Sequence, residues 1–104
     1  MAQVIVSPAA RRDLIGIRNY IHDELCNPDA ATRILGMLKT NVESLREMPE
    51  RGKPLDAVLS VHTEYRFLVC ESYRIFYLYD GRQVEVVRIL HDLQDYMRAL
   101  FLSK

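Results

Sequence analysis

The chain has 104 residues, of which 14 are Lys or Arg and 14 are Asp or Glu, so its formal charge is zero. A length of that order supports one domain with a modest core, and a balanced charge supplies no overall field to draw the chain to nucleic acid or an anionic membrane, which counts mildly against a strong nonspecific binder and leaves a local basic patch open. No apolar run is long enough to span a bilayer, and "MAQVIVSP" lacks a charged-then-apolar leader pattern, so the expectation is a single cytoplasmic domain over residues 1–104.

In chain order, the first predicted element is a short strand at Val4–Val6, stopped by Ser7 and Pro8. Serine caps a helix and proline suits its first position, so a helix is expected over roughly residues 8–25. Leu14, Ile17, Ile21 and Leu25 fall on one face of it, with Arg11, Arg12, Arg18, Asp23 and Glu24 mostly elsewhere. Asn27-Pro28-Asp29 repeats the device, and Ala31, Leu35, Leu38, Val42 and Leu45 form the stripe of a second helix that runs to Met48-Pro49. The link between the helices is short enough to force an antiparallel hairpin, whose apolar stripes need a sheet to cover them. His22, near the end of the first helix, suits the helix dipole.

"PERGKPLDAVLSVHT" reads as a long, weakly ordered connection, with "AVLSV" a possible edge segment. Three strands follow: "EYRFLVC", with Tyr65, Phe67 and Val69 alternating with Arg66, Leu68 and Cys70; "SYRIFYLY", apolar on both faces as a central strand would be; and "QVEVVRIL", with Val84, Val86, Arg88 and Leu90 on one face. Glu71-Ser72 and Asp80-Gly81 provide the two turns. Leu93, Met97 and Leu100 predict a short C-terminal helix. The expected fold is α+β: an antiparallel helix hairpin on a small antiparallel sheet, in the order β-α-α-β-β-β, with that last helix appended. Cys26 and Cys70 have no metal-ligand spacing and read as reduced thiols. No metal or cofactor is expected.

"YRIFYLYDGRQVEVVRILHDLQDYMRAL" resembles the closing half of the RelE/ParE superfamily of bacterial type II toxins. The residues that carry the likeness are Tyr73-Arg74-Ile75 with Tyr77, Asp80-Gly81, the strand Val84 to His91, and Asp95. "SPAARRDLIGIRNYI" is similar to the superfamily's first helix, so the likeness covers nearly the whole chain. It implies a growth-inhibiting toxin, plasmid-stabilising in some systems, neutralised by a cognate antitoxin that wraps around its helices and sheet. Operator DNA would then be met only through the antitoxin.

The superfamily divides by target. RelE-type members cut messenger RNA on the ribosome, holding the scissile phosphate among cations while other groups move protons. By resemblance Arg74 falls on one RelE arginine, Arg66 on one of two lysines, and Tyr96 near a tyrosine, while the second lysine meets Phe67 or Leu68. Ribonucleases of the YafQ and YoeB kind use a histidine near the chain end, where this chain has His91, with Arg88 three residues before it and His62 as the one further histidine that could contribute. An imidazole suits general acid work near neutrality. ParE-type members, which poison DNA gyrase, share "RILH" and a later acid, and the overall pattern stands nearest to them, although Asp92-Leu93-Gln94 replaces their basic run.

The candidate catalytic residues are therefore His91, Arg74 and Arg88, with Arg66, Tyr96 and Asp95 as target or RNA contacts. Structural readings stand beside these. His91 can close the sheet end or bond Asp95, Arg88 can pair with Asp92 or Asp95, and Arg66 and Arg74 can share a face and pair with Glu64 and Glu71. The alternatives left open are a gyrase poison, a metal-independent endoribonuclease, and a non-toxic antitoxin-binding module.

Overall fold

A computed structural model describes residues 1–57 and 62–91. Strand β1 (Gln3–Val6) leads into helix α1 (Pro8–Asn19), which continues as a π turn over Tyr20–Glu24, and helix α2 (Pro28–Ser44) follows. The remaining strands are β2 (Lys53–Pro54), β3 (Arg66–Cys70), β4 (Tyr73–Tyr79) and β5 (Gln83–His91), with a 3-10 turn at Leu55–Ala57. The expected C-terminal helix, with Asp92, Asp95 and Tyr96, lies outside the described residues, as does most of the "AVLSV" segment.

Both helix starts form as their sequences dictate. The Ser7 and Asn27 side chains accept the amides of Ala10 and Ala30, and a proline holds the first turn of each helix. The π turn at the end of α1 keeps Ile21 buried but leaves Leu25 half exposed, so the stripe ends one turn earlier than its spacing predicts. Cys26 reverses the chain in the left-handed region (φ 50°).

The sheet has the order β1-β5-β4-β3-β2. The β2 to β5 pairings are antiparallel, but β1 joins β5 in parallel, from Gln3 opposite Gln83 to Val6 opposite Val86. The sheet is thus mixed rather than purely antiparallel, because the first strand returns beside the last across the helix hairpin. One face carries the main core, where Leu68, Ile75, Tyr77, Val84, Val86 and Ile89 meet Ala10, Ile17, Leu38 and Val42 of the helices. The other face holds a small second core of Leu55, Phe67, Phe76 and Leu90. Burial on both faces explains why β4 is apolar on both sides, interrupted only by Arg74.

Three local expectations change. In the last hairpin the central positions are Gly81 and Arg82, with Gly81 at φ +96° and the Asp80 carboxylate accepting the amides of Arg82 and Gln83. In β5 a bulge breaks the alternation: Tyr77 pairs with Val86 and Phe76 with Arg88, leaving Val87 as the extra residue. Ile89 consequently faces the helices while Leu90 joins the opposite core, so Val84, Val86, Arg88 and Leu90 do not share a face. The "PERGKPLD" connection is tightly held, because the buried Tyr77 hydroxyl donates to the Pro49 carbonyl (2.8 Å) and accepts the Gly52 amide (2.9 Å).

Candidate functional site

The parallel partner of β5 ends at Val6, so among the described residues Val87 to His91 have no strand neighbour on that side. Unpaired edge groups need other partners. Ser7 supplies one through its hydroxyl, which donates to the Val87 carbonyl at 2.9 Å. Asp13 of α1 supplies another by accepting the Ile89 amide at 2.9 Å. The same carboxylate receives Arg88 in a two-pronged pair, at 2.8 Å from Nε and 2.9 Å from Nη2. The Asp13 side chain is only 13% exposed, and its hydrogen bonds raise the Arg88 guanidinium pKa above the ordinary arginine value. Asp13 therefore locks the first helix onto the last strand.

Asp13 is the residue that sequence reasoning missed. The carboxylate that meets Arg88 lies 75 positions away, whereas the sequence pointed to Asp92 or Asp95, which fall outside the described residues. A signal was present: Asp13 stands three residues after the buried Ala10 and four before the buried Ile17, on the inward face of its helix.

Beyond this lock, α1 and the end of β5 leave a cleft of about 520 Å³, rimmed by Arg12, Asp13, Gly16, Tyr20, Tyr73 and His91. His91 stands opposite Tyr73 in the ladder, and their rings meet edge-on at 5.4 Å. The bulge in β5 is what aims His91 toward the helices rather than away from them.

The other candidates are not gathered here. Arg74 lies on the opposite face of the sheet, its guanidinium 5.0 Å above the Phe67 ring. Arg66 projects toward the helix side, where it donates to the carbonyls of Gly52 (2.8 Å) and Glu50 (3.2 Å). The two arginines thus occupy opposite faces rather than one, since they stand at positions of opposite alternation on strands whose register is fixed. Nor do the expected acids serve them as proposed: Glu71 meets Arg33 and Glu64 meets His62, each at 3.3 Å. His62 also contacts Asp56 at 2.9 Å on the exposed loop before β3, remote from His91 in the fold. Tyr96 and Asp95 lie outside the described residues. Cys26 is exposed, Cys70 is buried, and both are free thiols.

Comparison with known proteins agrees with this architecture. A curated relative, Toxin RelE2 of Caulobacter vibrioides, is 41% identical over 92 residues, which is 88% of this chain and 96% of that protein. Among solved structures, one described as the chromosomal ParDE TA system from P. aeruginosa superposes with a TM-score of 0.73 at 20% identity, covering 88% of this chain and 96% of the other. The model of the family described as ParE toxin of type II toxin-antitoxin system, parDE, matches residues 4–96, and the chain belongs to that family.

Proposed function

We propose that this type II toxin acts in the ParE manner, by poisoning DNA gyrase, rather than as a messenger-RNA nuclease. The observation that carries this reading is the dispersal of the three candidate guanidinium groups among the described residues. Arg88 is held by Asp13, Arg66 by the Glu50–Gly52 carbonyls, and Arg74 stands across the sheet from His91. A nuclease that stabilises charge on a scissile phosphate needs several cations converging on one point. The family match supports the same reading.

Membership in the family implies a cognate antitoxin. The apolar groove between α1 and α2, of about 490 Å³ and lined by Leu14, Leu35 and Val42 between Arg11 and Lys39, suits an antitoxin segment with apolar and acidic side chains. Contact with operator DNA would then run through the antitoxin.

The test is induced expression without the antitoxin, followed by two assays in parallel. Growth arrest with gyrase-dependent DNA cleavage supports the proposal. Arrest accompanied by discrete messenger-RNA cuts in primer extension, and intact gyrase supercoiling, overturns it in favour of the ribonuclease reading. That second reading draws support from the likeness to Toxin RelE2 and from the position of His91 on a cleft. It predicts that His91→Ala abolishes cutting in a folded protein. Unimpaired growth with abundant folded protein would instead indicate an antitoxin-binding module.

A further inference from the structure

The groove between α1 and α2 has a gap in one wall. Gly36 lies inside α2 on its exposed side, and a Cβ placed on it would meet nothing within 4 Å. Glycine inside a helix is less stable than alanine. No turn, positive φ or close neighbour within this chain requires a glycine here. What the missing side chain does is deepen the groove at that point.

The surroundings specify what can fill the gap. Val6, Leu14, Leu35, Leu38 and Val42 line the groove, with Leu38 and Val42 buried beneath it. Lys39 and Glu43 follow Gly36 three and seven positions on, along the same face of α2, and Arg11 lines the groove from α1. Glu43 is already engaged, since it accepts the Arg46 guanidinium at 2.9 Å from Nε. Arg11 gives its Nε to the Val6 carbonyl at 3.3 Å, which leaves its outer nitrogens directed to solvent or a partner. The gap is therefore apolar at its floor and cationic at its rim. An apolar side chain gains there, a neutral polar one loses water without a partner, and a cationic one is repelled.

Resting on the reading that the cognate antitoxin fills this groove, we propose that Gly36 is the notch that sets which antitoxin is accepted. It receives one large apolar anchor of the antitoxin, the size of leucine or greater, with a nearby carboxylate reaching Lys39 or Arg11. An antitoxin with a small residue at the anchor leaves the notch unfilled, and one with lysine or arginine there meets two cations. This selectivity does not depend on whether the toxin attacks gyrase or messenger RNA.

The experiment measures, by calorimetry, binding of the purified cognate antitoxin to the full toxin chain and its variants. Gly36→Leu, which fills the notch from the toxin side, should weaken binding roughly a hundredfold, with a melting temperature equal to or above that of the parent. If that variant does not fold, Gly36→Gln takes its place. Each large apolar residue in the toxin-binding part of the antitoxin is then cut to alanine in turn. One of these truncations should weaken binding to the parent toxin yet restore binding to the Gly36 variant by about tenfold or more, because the two changes compensate in size. In cells, the Gly36 variant should still arrest growth, escape the parent antitoxin and be neutralised by the truncated one. Undiminished binding by the folded Gly36 variant, or the lack of any restoring truncation, would overturn the proposal. Lys39→Glu combined with Arg11→Glu separates this from the reading beneath it. If the charge changes weaken binding and Gly36→Leu does not, the antitoxin fills the groove without using the notch. If neither does, the antitoxin binds elsewhere and both readings fall.

Discussion

Asp13 joins two elements that are distant in sequence, and its three accepted hydrogen bonds make it the side chain on which the α1–β5 contact turns. Asp13→Ala leaves a part-buried guanidinium and a strand amide without their acceptor. The expected loss is about 2–3 kcal/mol of unfolding free energy, measured by urea denaturation. Asp13→Asn, which keeps an acceptor but not the charge, should lose less. The pair is insensitive to mild base: the Asp13 hydrogen bond raises the Arg88 pKa, so its contribution is lost only as pH rises through that raised value. Gly52 is constrained differently, since a Cβ there would lie 2.5 Å from the Tyr77 hydroxyl and 2.9 Å from the Phe67 carbonyl oxygen. Gly52→Ala must push Tyr77 off Pro49 and Gly52, at a cost of about 1–3 kcal/mol in the same measurement.

At the scale of elements, the β1–α1 junction depends on one hydroxyl with two duties, capping α1 and holding the bulged carbonyl of Val87. Ser7→Ala loses both and is expected to cost about 1–2 kcal/mol, with Ser7→Thr close to the parent, as thermal melts would show. The loop before β3 is held by His62 between Asp56 and Glu64. Hydrogen bonding to Asp56 raises the His62 pKa above 6.5, and the Thr63 amide, followed by His62, holds Asp56 below 3.8. The His62 contribution is therefore complete below pH 6.5 and lost as pH rises through its raised folded value. That of Asp56 is complete above pH 3.8 and lost as pH falls through its lowered one. The tether is firmest between pH 3.8 and 6.5, and an NMR titration should show the His62 midpoint falling toward 6.5 in Asp56→Asn.

The helix starts and the four longer strands were legible because each depends on neighbours a few residues away: Ser7-Pro8, Asn27-Pro28, and the turn residues around Gly81; the two-residue strand β2 was not. The bulge was not, since "VEVVRIL" is apolar at enough odd and even positions to satisfy either alternation. The candidate site was half legible. His91 could be placed at a strand end, but its facing depends on Val87 being left out of the ladder, and the Arg88 partner depends on a contact spanning 75 positions. The partners of Arg66 were hidden for a related reason: in place of Glu64 or Glu71 it meets backbone carbonyls, which no residue pattern marks.

For the whole molecule, the closing pair of the sheet unites its first and last strands, and the Ser7–Val87 bond spans 80 positions. The β3–β4 and β4–β5 hairpins and the α1–α2 pair are local and can form early. Bringing β1 to β5 confines a loop whose length alone contributes roughly 4 kcal/mol of closure entropy. Chains truncated after Arg82 should therefore leave the Gln3–Val6 amides unprotected in hydrogen exchange, whereas the full chain protects them. On the ribosome, this parallel closure becomes a timer. Strand β1 leaves the exit tunnel well before β5 and has no strand partner until Gln83–His91 follow, so the cleft and its histidine are assembled only then. A toxin built this way leaves no shorter nascent fragment with its sheet complete, which gives a separately translated antitoxin time to be present when the sheet finally shuts.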